Sequence, residues 1–579
     1  MSTEYTNPYG VSSFKNFNKL NRAFVDKTEF INVIDKLDTP YPVLLRPRRF
    51  GKTTFVQMLD CFYDISYKDD YDEIFKGTKI IEKNLPSHNT YHVIDFEFSN
   101  ISGKTSEQLV ESFSKNVLNS IKLFLDKYKE VDFDVEQHRK DPPGDLIDAF
   151  FTSCKIAFKG NQDLYVIIDE YDNFANEILS KNRDLFKAIT NADGFLKAFN
   201  KAIKKHTNTV VAKTFITGVS SVSLDSLTSG FNIAKNVTCD PRLNEFAGFT
   251  KDELIGLIEK LVDTKALNTT AEYIAEIMRE AYNGYAFCPE AKHTLFNSSM
   301  CLNYIDYISL KKTIETPERV LDPACAFDKS KVADIISFTP KNVLKLVASE
   351  FESTGEIVIS ELAQSINLNQ LDRYDLQTSL AVLYYLGYLT IKNDGIGSRV
   401  CLTYPNKMMK YMFELCFINA LIPKIEDDEN CIFDITSMLR GNPDLKGFID
   451  SVTEYLSLRI TNQHLLGFNE NTIKVLVRAK LEDLKMLSVN TEQKLTVPMV
   501  GEKFADLVVD NQKGTYYLFE FKYFSKAKAQ QQPSILQEKI AEATEQINCY
   551  KKALEFEGKT LYSYIAIFES INCVHFEQV

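Results

Sequence analysis

The stretch PVLLRPRRFGKTTFVQMLDCFY, residues 42–63, decides the fold of the N-terminal part of this chain. It opens with apolar residues typical of a buried strand, turns through a basic loop that ends in Gly51, and continues with apolar residues at helical spacing. In such a unit the backbone N–H groups at the start of the helix face a bound anion. The pattern predicts a strand over 42–45, a helix over 52–63 and a phosphate site between them.

The loop of this unit matches three of the four fixed positions of the phosphate-binding motif G-x4-G-K-[ST]. Gly51, Lys52 and Thr53 match, whereas Arg46 stands where the motif has its first glycine. We expect Lys52 to reach the β- and γ-phosphates of a nucleotide and the Thr53 hydroxyl to bind Mg²⁺. Arginines at 46, 48 and 49 are expected to add positive charge beside the phosphates. The loop residues predicted to bind the nucleotide are Arg49, Gly51, Lys52, Thr53 and Thr54.

The second half of this nucleotide site is expected at the end of the apolar run LYVIIDE, residues 164–170. Asp169 is predicted to hold the metal ion, and Glu170 is predicted to act as the base for water. Thr217, which ends another apolar strand, is expected to contact the γ-phosphate. Because Arg46 removes a glycine that permits a tight turn, a fold whose loop has lost nucleotide binding stays as the alternative.

Apolar strands and helices alternate through the first 250 residues. Such alternation is typical of a parallel sheet covered by helices on both faces. A further helical stretch is expected after residue 174. Strands are predicted over 91–100, 163–174 and 208–220, and helices over 27–37 and 106–128.

The pattern changes to mostly helical segments beyond residue 250. A helix followed by a hairpin with a Gly/Asn-rich tip favours a winged-helix-like region, and any helical subdomain with a hairpin is the alternative. The acidic stretch 425–455, which contains GNPD, is predicted to be a linker. Helices are predicted over 251–262, 271–283, 329–350 and 358–388, and the hairpin over 388–406.

The C-terminal 110 residues form a pattern of helix, three strands, helix and strand. Three residues in it, Asp506, Glu520 and Lys522, are spaced as D-x13-E-F-K, with Gly514 in a turn between the two strands. A hairpin would bring the two carboxylates together, and alternation places Glu520 and Lys522 on one face. The predicted helices cover 470–487 and 533–556, and the strands 495–500, 504–510, 515–524 and 561–570.

Two neighbouring acids can hold Mg²⁺, and an adjacent lysine can orient the attacking water in phosphodiester hydrolysis. The predicted catalytic residues are therefore Asp506, Glu520 and Lys522, with both acids as metal ligands. A routine pair of surface charges on a strand is the alternative. Accessory roles are assigned to Glu470, as a further ligand or a favourable charge at a helix start. Gln546 and Tyr550 share one helix face, which would contact the metal site or the DNA backbone, with a solvated helix face as the alternative.

The composition narrows the class of protein. The 579 residues predict about three or four domains, and 44% hydrophobic with 25% charged residues is ordinary for a soluble globular protein. A net charge of −12 argues against a general nucleic-acid coat, although it allows a local basic groove. Eleven scattered Cys without a CxxC pair argue against zinc. Without a signal peptide or transmembrane run, an intracellular protein, cytoplasmic or nuclear, is expected.

Taken together, these motifs resemble a family in which an AAA-ATPase-like domain is joined to a C-terminal nuclease of the PD-(D/E)XK superfamily. The sequence segments that carry this resemblance include YGVSSFKNF, LLRPRRFGKTTF, VIIDEYDNF, YYLGYLTI and FADLVVD followed by YYLFEFK. The RPRRFGK form of the loop is usual in that family. The resemblance implies NTPase roles for Lys52, Thr53, Asp169 and Glu170, and nuclease roles for Asp506, Glu520 and Lys522.

The predicted fold class is a multidomain α/β protein. It combines a P-loop NTPase parallel sheet with helices, a helical, winged-helix-like middle region and a C-terminal restriction-endonuclease-like α/β domain. The predicted boundaries are 1–250 for the AAA-ATPase-like domain, 251–424 for the middle region, 425–455 for the linker and 456–579 for the nuclease-like domain.

The functional hypothesis is an enzyme with ATP and Mg²⁺ as cofactors. It would bind and hydrolyse ATP and couple this to a Mg²⁺-dependent nuclease that cuts phosphodiester bonds in nucleic acid. DNA is the expected substrate. The alternative is a nucleotide-dependent switch or assembly protein, a homo-oligomer, with an inactive nuclease-like binding domain. No membrane partner is expected. A role as an effector, in defence or in a mobile element is not decided by the residues.

Overall fold

The computed structural model divides the chain into two compact units, Met1–Lys410 and Tyr411–Val579, and each is treated by itself. The boundaries predicted for the individual domains remain a prediction. The structure describes residues 5–11, 13–173, 194–221, 231–317, 354–362, 376–392, 399–413, 435–459, 469–482 and 487–579, with positions 320, 347, 350 and 351.

The first unit is built on a parallel sheet of five strands in the order β2-β3-β4-β1-β5. Every residue of β3 is buried, as expected for a strand with helices on both faces. The predicted parallel α/β sheet is therefore confirmed. Its strands are β1 (Pro42–Leu45), β2 (His92–Glu97), β3 (Leu164–Asp169), β4 (Val211–Gly218) and β5 (Lys235–Asn236).

Helices cover this sheet and continue beyond it. The predicted helix over 52–63 begins and ends at those residues in the structure. The predicted helix over 329–350 lies almost wholly outside the described residues, as does the first part of the stretch after 174. The helices of this unit are α1 (Glu29–Asp35), α2 (Lys52–Tyr63), α3 (Tyr71–Ile74), α4 (Ser106–Lys127), α5 (Pro143–Ala157), α6 (Phe195–His206), α7 (Lys251–Leu261), α8 (Ala271–Tyr282), α9 (Ser298–Lys311) and α10 (Leu376–Tyr385).

A small antiparallel sheet follows, in the order β6-β8-β7. Its strands are β6 (Glu356–Ile359), β7 (Thr390–Lys392) and β8 (Val400–Thr403). The pairing of β7 with β8 confirms the predicted hairpin. The prediction of helix throughout 358–388 is wrong at its start, because the sequence EIVI alternates in burial and pairs with β8 as a strand.

The second unit contains a five-stranded mixed sheet in the order β13-β12-β11-β10-β9, in which only β11 and β12 run parallel. The last strand was not predicted from the sequence. Helices of this unit are α11 (Thr436–Leu439), α12 (Lys446–Arg459), α13 (Glu470–Glu482), α14 (Lys526–Gln531) and α15 (Ile535–Tyr550); strands are β9 (Ser488–Val497), β10 (Gly501–Asp510), β11 (Thr515–Phe524), β12 (Thr560–Glu569) and β13 (Asn572–Gln578).

Two hydrophobic clusters cover the two faces of this sheet. One joins α11, α12 and α13 to Leu507, Phe519 and Phe521. The other joins α15 to Val508 and Leu518. Helix α11 and the larger part of α12 lie in the segment predicted to be a linker, residues 425–455, and both helices supply part of the first cluster. Within the described residues, no helix has the length and apolar character that crossing a bilayer requires.

Candidate functional site

The predicted nucleotide-binding loop lies between β1 and α2, and two left-handed residues set its backbone. Gly51 has φ 92° at the N-terminus of α2, and Arg49 has φ 69°. Glycine adopts such angles without steric cost, whereas a side-chain-bearing residue needs support from its surroundings. The carbonyl of Arg49 accepts hydrogen bonds from Ser298 Oγ at 3.0 Å and from the Ser299 N–H at 3.1 Å. The start of α9 therefore supports the loop.

Lys52, the first residue of α2, folds back over this loop. Its buried Nζ donates a hydrogen bond to the carbonyl of Pro47 at 3.1 Å. Burial lowers the pKa of Lys52, and the nearby carboxylates of Asp169 and Glu170 oppose that shift. The ammonium group is thus in the loop itself, where a phosphate oxygen can replace the Pro47 carbonyl as its acceptor.

Asp169 ends β3 and lies against the start of α2. Its carboxylate accepts a hydrogen bond from the Thr53 side chain and another, at 2.8 Å, from the N–H of Glu170. Burial raises the pKa of Asp169 to about 6, although Lys52 pulls it down. The two residues predicted to bind metal at this site are therefore in contact, and their hydroxyl and carboxylate oxygens suit Mg²⁺.

A cavity of about 540 Å³ lies against the loop, within the size range of small-molecule sites. Its polar side is formed by the predicted residues Arg49, Gly51, Lys52, Thr53, Thr54 and Glu170. Apolar side chains form another part of its wall, among them Val11, Phe24, Val25, Phe249 and Leu257. The cavity thus offers both a phosphate-binding loop and an apolar surface that a base can contact.

Arg46 and Thr217 have different surroundings from those that the sequence suggests. The buried Arg46 guanidinium donates to the carbonyls of Leu45, Thr238 and Leu243 at 2.7–2.9 Å, and burial lowers its pKa to about 10. The expectation that Arg46 adds charge beside the phosphates is therefore wrong.

The Thr217 hydroxyl donates to the Leu44 carbonyl at 2.7 Å, between adjacent strands, and its predicted contact with a γ-phosphate remains a prediction.

Asn173 is a residue of this site that sequence reasoning missed. Its Oδ1 accepts a hydrogen bond from Arg48 Nη2 at 2.6 Å, and its Nδ2 donates to the carbonyl of Ser99 at 3.0 Å. It therefore links the basic loop to the segments after β2 and β3. The only signal in the sequence was a polar residue shortly after Glu170, which is too common to single out.

In the second unit, the structure brings Asp506, Glu520 and Lys522 together. The pair Leu507 and Phe519 fixes the antiparallel register of β10 and β11, so Asp506 stands opposite Glu520. Oδ2 of Asp506 accepts the N–H of Phe521 at 2.9 Å, and Lys522 Nζ lies 2.6 Å from Glu520 Oε1. The predicted hairpin and the shared face of Glu520 and Lys522 are therefore confirmed.

Glu520 is 1% exposed and is the most deeply buried acid of this cluster. Burial raises its pKa to about 8, with Asp506 acting in the same direction and Lys522 against it. Its Oε2 has no hydrogen-bond partner among the described residues. A buried carboxylate oxygen without a partner is costly, so this atom is suited to bind a cation.

Lys474, on α13, completes the cluster and was not predicted from the sequence. Its Nζ lies 3.0 Å from Asp506 Oδ1, 3.3 Å from Glu492 Oε1 and 4.0 Å from Glu470 Oε1. Burial alone would lower the pKa of Lys474, but these carboxylates outweigh it and raise the pKa. Its position four residues after Glu470, on the same helix face, was the available signal.

The accessory residues predicted from the sequence lie around these groups. Burial raises the pKa of Glu470, with Lys522 opposing the shift. On α15, Glu542 lies 3.8 Å from Lys522 Nζ, and Tyr550 is close enough for Glu520 and Asp506 to raise its pKa beyond the effect of burial. Gln546 lies between these two on the same helix face, and its buried Oε1 has no hydrogen-bond partner among the described residues.

These groups fit a divalent metal ion. Their oxygen donors, mainly carboxylates, are the ligands that Mg²⁺ and Mn²⁺ prefer, and Glu520 Oε2 is a buried donor without a partner. In the part of the chain that the structure describes, no three His, Cys, Asp or Glu side chains already converge as a metal site. Lys474 and Lys522 instead contact Asp506 and Glu520.

The folds and sites together indicate the class: a parallel α/β unit with a P-loop-like turn, in a chain that also carries a nuclease-like sheet with an acidic cluster. Comparison with known families agrees with both parts. Residues 8–228 match the family model described as a predicted AAA-ATPase, and residues 469–578 match the PD-(D/E)XK nuclease superfamily. The resemblance noted in the sequence is therefore confirmed for these two segments.

A relative is found among curated proteins. It is described as "Uncharacterized protein in vnfD 5'region" of Azotobacter chroococcum mcd 1 and is 22% identical over 440 residues, which cover 72% of this chain and 70% of that protein. The aligned length exceeds the two family segments taken together. The likeness therefore includes residues outside both of them.

Proposed function

We propose that this protein binds and hydrolyses ATP at the loop before α2, and that its C-terminal unit hydrolyses phosphodiester bonds in DNA with Mg²⁺. The observation that carries the proposal is the juxtaposition of Asp506, Glu520 and Lys522, in which the lysine ammonium lies 2.6 Å from a buried carboxylate. The family matches support an ATPase and a nuclease at the level of the family.

In the nuclease reaction, Asp506 and Glu520 would hold the metal ion. The chemistry that a bound Mg²⁺ supplies is activation of water and balance of the charge that develops on the phosphate. The backbone N–H of Phe521 holds the Asp506 carboxylate in position. Lys522, fixed by Glu520 and charged because the surrounding carboxylates raise its pKa despite burial, can orient the attacking water or donate to a phosphate oxygen.

In the ATPase reaction, Lys52 and Arg49 would contact phosphate oxygens, and the N-terminus of α2 would add its backbone N–H groups. Thr53 and Asp169, already in contact, are the residues that would hold Mg²⁺. Glu170 lines the cavity and can accept a proton from the attacking water.

The alternative of a nucleotide-dependent switch with an inactive nuclease-like domain is favoured by one observation. Both carboxylate oxygens of Asp506 are engaged, one by Lys474 and one by the Phe521 N–H. An acid held in this way can serve as a structural anchor. In that case the C-terminal unit would bind nucleic acid without cutting it, and nucleotide binding would change the size of a homo-oligomer.

The experiment that separates the two is a cleavage assay with the full chain on plasmid DNA, single-stranded DNA and RNA, with Mg²⁺ or Mn²⁺ and with or without ATP. Asp506→Asn should abolish cleavage. Asp510→Asn, at the far end of the same strand, is the matched control and should cut normally. Lys52→Ala should abolish ATP hydrolysis, whereas the exposed Lys68→Ala should not.

Equal cleavage by the Asp506→Asn variant would overturn the nuclease proposal. If the wild type hydrolyses ATP but cuts no nucleic acid, the switch alternative replaces it. If ATP changes the rate of cleavage by the wild type but not by the Lys52→Ala variant, the nucleotide site controls the nuclease.

A further inference from the structure

Lys474 is a buried cation in the middle of the acidic cluster. Its residue exposure is 8%, and carboxylate oxygens of Asp506, Glu492 and Glu470 lie 3.0, 3.3 and 4.0 Å from its Nζ. Since a lysine ammonium is normally solvated, burying one is favourable only where several acceptors replace water. The position therefore depends on the acids that surround it.

The backbone of β9 is distorted where it meets this lysine. Glu492 has φ 51° within a strand, a left-handed conformation that is uncommon for glutamate and strains the backbone. The flanking pairs Ala505–Gln493 and Leu507–Thr491 place Glu492 opposite Asp506. A local distortion of this kind redirects a side chain, and here Glu492 and Asp506 both reach Lys474.

The charges of the cluster leave room for a single divalent ion. Five carboxylates, from Glu470, Glu492, Asp506, Glu520 and Glu542, face three ammonium groups, from Lys474, Lys522 and Lys539. When a bound cation keeps all of these carboxylates ionised, Glu520 included, two negative charges remain, and one divalent cation balances them. Nucleases with two metal ions use the pair of ions to stabilise the attacking and the leaving oxygen. In this protein the ammonium group of Lys474 already lies 3.0 Å from Oδ1 of Asp506.

We propose that Lys474 is a positioning residue that acts as a fixed internal cation in place of a second metal ion, so that the nuclease-like site binds one divalent ion, on the side of Glu520. The inference rests on the proposed nuclease function and deepens it. Lys474 holds Asp506 and Glu492 together, and Glu520 Oε2 provides the remaining buried oxygen for the metal ion.

The test is a count of Mn²⁺ ions bound to the nucleotide-free full chain, by calorimetry and by electron paramagnetic resonance. Ions that bind elsewhere are identified by their persistence in Asp506→Asn. The wild type should lose one ion on this substitution. Lys474→Met, which keeps an unbranched side chain only one atom shorter but removes its charge, should bind two ions that depend on Asp506. Lys474→Arg should bind one, since it keeps the charge.

Each outcome has one meaning. Two Asp506-dependent ions in the wild type, or a single ion with unchanged affinity in Lys474→Met, would overturn the inference but leave the nuclease proposal standing. No Asp506-dependent ion in either protein would overturn the metal-dependent nuclease itself. Circular dichroism would confirm folding, and if Lys474→Met does not fold, Lys474→Gln carries the same test because it also removes the charge.

Discussion

The Nζ of Lys522 lies 2.6 Å from Oε1 of Glu520, which is two residues earlier on the same strand and on the same face of the sheet. Both side chains are buried, on the face of the sheet that α15 covers. The arrangement leaves Oε2 of Glu520 without a hydrogen-bond partner among the described residues, while the ammonium group lies against the other oxygen of the same carboxylate.

This pair predicts that Lys522 serves the reaction and is not needed for metal binding. Lys522→Met should reduce cleavage by roughly 10²–10⁴-fold, the usual range for a lost proton-transfer or orienting group. Its Mn²⁺ affinity should not weaken, because a competing positive charge has been removed. Cleavage kinetics and calorimetry on the same preparation test this. Lys526→Ala, an exposed lysine four residues further on, should leave both unchanged, and a parallel loss of metal binding in Lys522→Met would contradict the assignment.

The support that α9 gives to the phosphate loop predicts a difference between two adjacent serines. Ser298→Ala removes a hydroxyl that donates to the Arg49 carbonyl, and a hydrogen bond of about 1 kcal/mol corresponds to roughly fivefold weaker ATP binding. Ser299→Ala is the matched control, since Ser299 uses its backbone N–H for the same acceptor. Titration with a fluorescent ATP analogue measures both. Equal affinities in the two variants would show that the loop does not depend on this contact.

The sequence predicted the parts of the fold that depend on local periodicity. The bounds of β1, α2 and β11 are those that the apolar pattern predicts, because each is a run of residues with one clear period. Asp506, Glu520 and Lys522 were found for the same reason: a hairpin turn and a strand period are enough to place them on one face.

The contacts of Arg46 and Lys474 were not predictable from the sequence, because each is decided by partners far along the chain. Arg46 fits a phosphate loop in the sequence, yet its acceptors Thr238 and Leu243 are more than 190 residues away. In the sequence, Lys474 is one of several charged residues on a predicted helix. Only the packing of α13 brings it to Asp506, which lies 32 residues later in the chain. Such side chains require the tertiary structure.

Arg46 therefore predicts a loss of stability rather than a loss of phosphate binding when it is replaced. Arg46→Ala would leave three buried carbonyls without their donor and remove a guanidinium that lies 4.1 Å from the Phe287 ring. We expect the free energy of unfolding in urea to fall by about 2–5 kcal/mol. Arg242→Ala, which breaks an exposed ion pair with Asp240, should cost less than about 1 kcal/mol. Similar losses in the two variants would contradict the buried role of Arg46.

Asp60, on α2, predicts a pH dependence of stability for the unit that carries the phosphate loop. Burial raises its pKa from 3.8 to about 6, although Lys127, 3.8 Å away, opposes the shift. An acid whose pKa is higher in the folded state binds its proton more tightly there, so folding is favoured at low pH, and this contribution is lost as pH rises from 3.8 through about 6. Asp60→Asn does not titrate. Its free energy of unfolding relative to the wild type should therefore increase by about 2–3 kcal/mol between pH 4 and pH 7.

Denaturant titrations at the two pH values measure this change. The exposed Asp72→Asn should stay within about 0.5 kcal/mol of the wild type at both, and a constant difference between Asp60→Asn and the wild type would show that folding does not shift the pKa of Asp60.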